Sequence, residues 1–247
     1  MKKLNIFYML LFSTLLLNGQ DATEIVKKAN ELTLGKTSKG INKMTLVRPD
    51  WTREVSMKVW SKGTDYYMIL ITSPAREKGQ VFLKRKNEMW NWVPSIGKMI
   101  KIPPSMMSQS WMGSDFTNDD LLRESSIVND YFHKIIGSEI IDNFECYKIE
   151  LVPKPEAAVV WGKIIVWISK EKYYTLRAEY YDETDELLNI QESSDIKKMG
   201  DRTLPTKMTM MPTDKPGNQT ILELIKVEFN TQINDNFFSQ QNMKKIQ

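Results

Sequence analysis

The chain has 247 residues, with 34 Lys and Arg against 31 Asp and Glu, one histidine and one cysteine. That near balance gives no electrostatic basis for a nucleic-acid partner. One His and one Cys are too few for a typical structural zinc site, and no G-x-S-x-G elbow accompanies His133 to suggest a nucleophilic triad.

In chain order, Lys2 and Lys3 precede an apolar run from Ile6 to Leu17, and Asn18-Gly19-Gln20 forms a small polar exit. This is the pattern of a secretory signal peptide. The run is about a dozen residues, short of the roughly 20 needed to span a bilayer. We therefore expect residues 1–20 to be removed near Gly19 or Gln20 and the remainder to be exported. No cysteine follows the run, so a lipid-anchored N-terminus is not expected. Residues 21–247 suit one large all-β domain, long enough to build a core without disulfide staples. Cys146, in FECYKIEL, is expected to pack as a small hydrophobe.

Asp21, with Glu24 three residues on, reads as a helix N-cap. Ala22, Ile25, Val26, Ala29 and Leu32 then share one helical stripe, and Gly35 stops it. From Lys39 the period becomes two. Val55, Met57 and Val59 alternate with polar residues, as do Tyr174, Leu176, Ala178 and Tyr180, and Ile225, Val227 and Phe229. Turn signals such as Arg48-Pro49-Asp50, Asp142-Asn143 and Lys215-Pro216-Gly217-Asn218 separate the runs. The count is ten to twelve strands, joined mostly by hairpins. YYMILI (66–71) and IIVWI (164–168) are apolar on both phases, so they require a second apolar layer from helices, another sheet or a ligand. A second helix is expected over residues 117–125, with Thr117 as cap and Asp120 at the capping-box spacing.

His133 lies at the start of a strand and reads as structural. Asp115, Asp119 and Asp120 lack the spacing of an EF-hand and are explained by capping and solvation. Met106, Met107 and Met112 lack the neighbouring histidines or Met-x-x-Met series that would support copper. Five of the fifteen methionines fall between Met89 and Met112. Such flexible, polarisable side chains suit a surface that re-packs around varied apolar partners. Trp90 and Trp92, two apart, share a strand face, and Trp111 follows the Pro103-Pro104 break. Expected lipid contacts are therefore Trp90, Trp92, Met106, Met107, Trp111, Met112 and Phe116, with the cavity mouth in the loop 105–116. No catalytic residue, metal or cofactor is assigned.

The stretch MWNWVPSIGKMIKIPP, followed by WMGSDFTNDDLL (111–122), resembles the LolA-like outer-membrane lipoprotein-sorting family, and by element order the resemblance covers residues 21–247. It implies a mainly β fold: a curved antiparallel sheet forming an incomplete barrel of about eleven strands, with an N-terminal helix and short helices over its concave face. It also implies a monomeric, non-enzymatic periplasmic carrier that takes acyl chains of lipoproteins, or another envelope lipid, from an inner-membrane transporter to an outer-membrane acceptor. The alternative it leaves is an accessory or scaffold subunit of an envelope transporter. In such carriers an arginine holds the lid by bonding to helix backbone; Arg53, Arg85, Arg123 and Arg177 are the candidates.

Overall fold

The computed structural model describes residues 21–86, 88–122 and 126–246, with Ser126 described by its backbone alone. The expected signal peptide and Arg123 lie outside the described residues.

Helix α1 (Ala22–Leu34) begins where the Asp21 side chain accepts from the Thr23 N–H at 2.9 Å and ends at Gly35, whose φ of 66° places it in the left-handed region. Six strands follow as a meander: β1 (Thr37–Arg48), β2 (Trp51–Lys62), β3 (Tyr66–Ser73), β4 (Val81–Arg85), β5 (Glu88–Val93) and β6 (Lys98–Ile102). Residues 103–130 then cross over, carrying the short helices α2 (Asn118–Leu122) and α3 (Ser126–Asn129). A second meander runs through β7 (Tyr131–Ile141), β8 (Phe144–Pro153), β9 (Lys163–Ser169), β10 (Thr175–Tyr181), β11 (Leu187–Met199), β12 (Arg202–Pro212) and β13 (Gln219–Phe229). Pairing of β13 with β1 joins the two meanders into one antiparallel sheet of 13 strands. The free edges are β6 and β7, so the sheet is not closed. The fold is thus mainly β, as expected, with more strands than about eleven. Lys98–Ile102 is one strand that alternation does not separate, because it has only five residues.

The reciprocal bonds expected at the second helix are present. The Thr117 N–H donates to Asp120 Oδ2 at 2.8 Å, and the Asp120 N–H donates to Thr117 Oγ1 at 3.1 Å. At Asp142 and Asn143 both φ values are positive, which lets the β7–β8 hairpin turn in two residues. One alternation is broken: β13 carries Ile225 as an extra residue opposite the Ile41/Asn42 step of β1. Ile225 is therefore 54% exposed while Val227 is buried, because a bulge changes which face a side chain reaches.

Both two-faced strands find their second layers. Inside the sheet, Ile69, Ile71, Phe82 and Met89 pack with Met107, Trp111 and Leu122 of the crossover. Outside it, Met68, Leu70, Val81, Leu83 and Trp90 are covered by Phe238 and by Met243 of α4 (Gln240–Met243). On β9, Ile164, Val166 and Ile168 pack beneath Ala22, Ile25, Val26 and Ala29 of α1. Ile165 and Trp167 form a separate cluster with Cys146, Tyr174 and Leu176. Cys146 is buried there, and burial raises its thiol pKa. Among the described residues no helix is long and apolar enough to cross a membrane.

Candidate functional site

Strands from both meanders line one cavity of about 250 Å³, which requires the sheet to curve around it. Val59, Tyr67 and Leu222 stand on one side, and Ile164, Val166, Ile168 and Ala178 on the other. The C-terminal half of α1, together with Phe116, Leu121 and Ile127 of the crossover, completes the enclosure. Polar side chains on the central strands share the lining: Ser38 and Asn42 of β1, Gln191 and Ser193 of β11, and Thr206 of β12. A second cavity of about 430 Å³ is lined by Met89, Ile102 and Met107 and by Lys84, Asp130, Lys154 and Glu156.

The crossover is held to the sheet through residues 111–122. Trp111 is fully buried, its ring 5.1 Å from that of Phe82. Met112 (φ 51°) and Gly113 (φ 78°) both take left-handed backbone, which reverses the chain and leaves their carbonyls to be capped by arginines. Arg53 donates to the Met112 carbonyl. Arg48 donates to the Gly113 carbonyl at 3.1 Å and pairs with Asp115 at 3.0 Å, both side chains being largely buried. Thr220 donates to the same Asp115 carboxylate at 2.6 Å. Asn118 donates through Nδ2 to the Met106 carbonyl at 2.8 Å, tying the Met loop to α2. Of the arginines considered from the sequence, Arg53 makes the backbone contact, whereas Arg177 binds Glu179 and Glu192 and lies over the Trp167 ring. Arg48, outside that set, holds the neighbouring carbonyl.

Helix α2 also reaches across the cavity. Trp161, just before β9, donates its indole N–H to Asp120 Oδ1 at 2.7 Å and sets its ring at a tilt 5.1 Å from that of Tyr180. Burial raises the Asp120 carboxyl above its ordinary value, opposed by its bonds from Trp161 and Thr117. His133 ties the other cover down, with Nε2 2.8 Å from the Ile127 carbonyl and Nδ1 3.2 Å from Thr23 Oγ1. Burial lowers its pKa, favouring the neutral ring.

The residues singled out as lipid contacts divide into two groups. Met107 and Trp111 lie in the inner core, with Met106 and Met112 packed against it, and Phe116 lines the central cavity. Trp90 and Trp92 share a face, but it is the outer one, where the C-terminal segment covers them. The strand phase is legible from sequence; which phase turns inward depends on the partner each face receives. Trp161, Arg48 and the second bond of Asp120 leave no local signal, because their partners lie 41 to 67 residues away. The polar lining left a weak signal at one position only: Asn42 is in phase with buried Met44 and Leu46, whereas Gln191 and Ser193 share their phase with the polar Asn189.

The sequence matches a family model described as an uncharacterized protein over residues 63–245. No curated protein matches. Among the solved structures that share the fold are the following three. A DUF1329 family protein from Desulfovibrio piger is 22% identical with a TM-score of 0.82, covering 90% of this chain and 97% of that one. A LolA superfamily protein from Nitrosomonas europaea is 24% identical with a TM-score of 0.78, covering 90% and 99%. A domain from Vibrio parahaemolyticus assigned to outer-membrane lipoprotein sorting is 21% identical with a TM-score of 0.80, covering 90% and 98%.

Proposed function

We propose that the chain, which belongs to a family of uncharacterized proteins and has the fold of LolA superfamily structures, is a periplasmic, non-enzymatic carrier. In this reading it binds acyl chains of lipoproteins inside its sheet and moves them towards the outer membrane. The observation that carries the reading is the central cavity, walled by apolar strands and roofed by α1 and α2. At about 250 Å³ it is below the roughly 300–1,000 Å³ of pockets that hold drug-sized ligands. Cargo therefore enters as the helices move outward. Each buried methylene contributes about 0.8 kcal/mol, so an acyl chain offsets the lost helix contacts. Closure rests on carbonyl bonds from Arg48 and Arg53 and on the Asp120–Trp161 bond, all of which can break and re-form.

The test is native mass spectrometry of protein isolated after export, paired with titration of a fluorescent acyl probe. Bound lipid, or saturable probe uptake that added lipid reverses, supports the carrier. An empty protein that ignores the probe overturns it.

One observation favours a second reading, an accessory subunit docking a transporter protein. Edge strand β7 exposes Phe132, Ile135, Ile136 and Ile140, with Val152 beside Phe132 on β8. A free strand edge with apolar side chains is suited to pairing with another chain. Ile140→Lys would then abolish co-purification of a membrane transporter while leaving probe uptake intact.

A further inference from the structure

Strand β7 pairs with β8 on one side, and its other side is a free edge. From Lys134 to Ile140 every residue is exposed. Such an edge presents unpaired N–H and C=O groups, a template for another strand. A lysine and a bulge are common devices that block this pairing. Strand β7 has both, in Lys134 and in Ile136, which has no partner on β8. Their effect depends on the strand that arrives.

The bulge changes the phase of the strand. Before it, Phe132 and Lys134 stand opposite Val152 and Glu150; after it, Glu139 and Ile141 stand opposite Cys146 and Phe144. Those partners are all even-numbered positions of one unbulged strand, so Phe132, Lys134, Glu139 and Ile141 point to one face. His133, Ile135, Ser138 and Ile140 stand opposite odd-numbered positions and point to the other. In a regular strand, residues five apart lie on opposite faces. The bulge brings Lys134 and Glu139 to the same one.

This makes β7 complementary to itself. Let a second copy pair with it antiparallel, about a two-fold axis between Ile136 and Gly137. Lys134 of each copy then falls opposite Glu139 of the other, Phe132 opposite Ile141, His133 opposite Ile140 and Ile135 opposite Ser138. Each of these pairs shares a face, and the opposite charges meet twice, as an isologous contact requires. Ile136 meets Gly137, over which there is open space. Glu139 already accepts from Lys148 at 2.7 Å and from the Trp167 indole at 2.8 Å, and a carboxylate keeps lone pairs for a further donor. The other free edge, β6, has no such match: its five residues include two lysines and no carboxylate.

We propose that the chain forms a two-fold dimer in which β7 pairs antiparallel with β7 of a second copy. The proposal goes beyond the carrier reading and does not depend on it. A contact made chiefly of one strand from each copy is small, so the dimer dissociates on dilution.

Sedimentation velocity of the exported protein over a dilution series tests this, and a concentration-dependent step from monomer to dimer is expected. Lys134→Glu, at an exposed position, sets like charges opposite each other at both ends and should weaken the dimer at least about tenfold. Glu139→Lys should do the same. An equimolar mixture of the two variants should recover dimer, because opposite charges then meet at both ends; a purely structural effect of either substitution would give no recovery. If Glu139→Lys folds poorly through loss of its Lys148 and Trp167 bonds, the double variant Ile135→Cys, Ser138→Cys supplies the second readout. Its cysteines lie directly opposite across the axis and should oxidise to a linked dimer, whereas either substitution alone leaves them too far offset to bridge. A chain that stays monomeric overturns the proposal and leaves the carrier and transporter-docking readings standing. A dimer that Lys134→Glu leaves unchanged, or a double variant that does not cross-link, overturns it too, since the contact then lies elsewhere.

Discussion

Arg48 and Arg53 grip the 111–116 turn by its carbonyls, a contact that depends on backbone direction and hence on the left-handed Met112 and Gly113. Charge-assisted bonds to a carbonyl contribute roughly 1.5–3 kcal/mol. Arg53→Met should lower stability by about 2 kcal/mol and accelerate probe entry in stopped-flow mixing, whereas a purely structural arginine would leave the entry rate unchanged. Arg48→Met should cost more, about 3 kcal/mol, because it strands the largely buried Asp115 beside Thr220. Asp120 links the roof to pH. Its folded-state pKa is raised, so its contribution to stability is fully present below the ordinary carboxylate value and is lost as pH rises through the raised one. His133 acts in the opposite sense: its pKa is lowered, so stability is lost as pH falls through that lowered value. Comparison with Asp120→Asn isolates the first effect. Urea midpoints of the native protein should decline relative to those of the variant as pH rises above the ordinary carboxylate range, and parallel profiles would refute the assignment.

The three covering elements have different roles, and their packing separates them. Helix α1 buries Ile25 and Val26 over β9 but also lines the cavity with Val26 and Ala29, so it is both core and roof. The crossover does the same for the other meander through Trp111 and Phe116. The C-terminal segment instead covers the outer face, where Phe238 lies 5.3 Å from Tyr66 and 5.4 Å from Phe237. Phe238→Ala should therefore destabilise by about 3–5 kcal/mol in denaturant titration while acyl-probe affinity at saturating fold is unchanged. A matching loss of affinity would place the binding surface outside the sheet, beside Trp90 and Trp92.

One continuous sheet with separated edges lets the molecule enclose an apolar space without sealing it, since β6 and β7 are joined only through the crossover and helices. A closed barrel of these strands would have fixed the interior volume. Here the resting cavity is small, and on the carrier reading occupancy enlarges it. A ligand that binds the folded state alone stabilises it by about 2.7 kcal/mol at a hundredfold excess over Kd. For a chain of this size that corresponds to a rise in Tm of roughly 5–10 °C. Differential scanning of delipidated protein against graded acyl ligand measures it, and a Tm insensitive to ligand would argue against an internal site.

Local patterns in the chain already contained the first helix with its Asp21 and Gly35 ends, most strands, the Asp142-Asn143 turn and the Thr117–Asp120 capping box. Each depends on contacts within a few residues, which alternation, helical spacing and turn chemistry record. The need of the 66–71 and 164–168 strands for a second layer was likewise legible, because both phases are apolar. The identity of those layers was not. The C-terminal segment lies more than 130 residues beyond β5 in the chain, yet it claims Trp90 and Trp92. The bulge at Ile225, the Arg48 clasp and the Asp120–Trp161 bond arise only when distant strands set their register. A two-residue period tells which side chains share a face; only the assembled sheet decides which face turns inward and what it meets there.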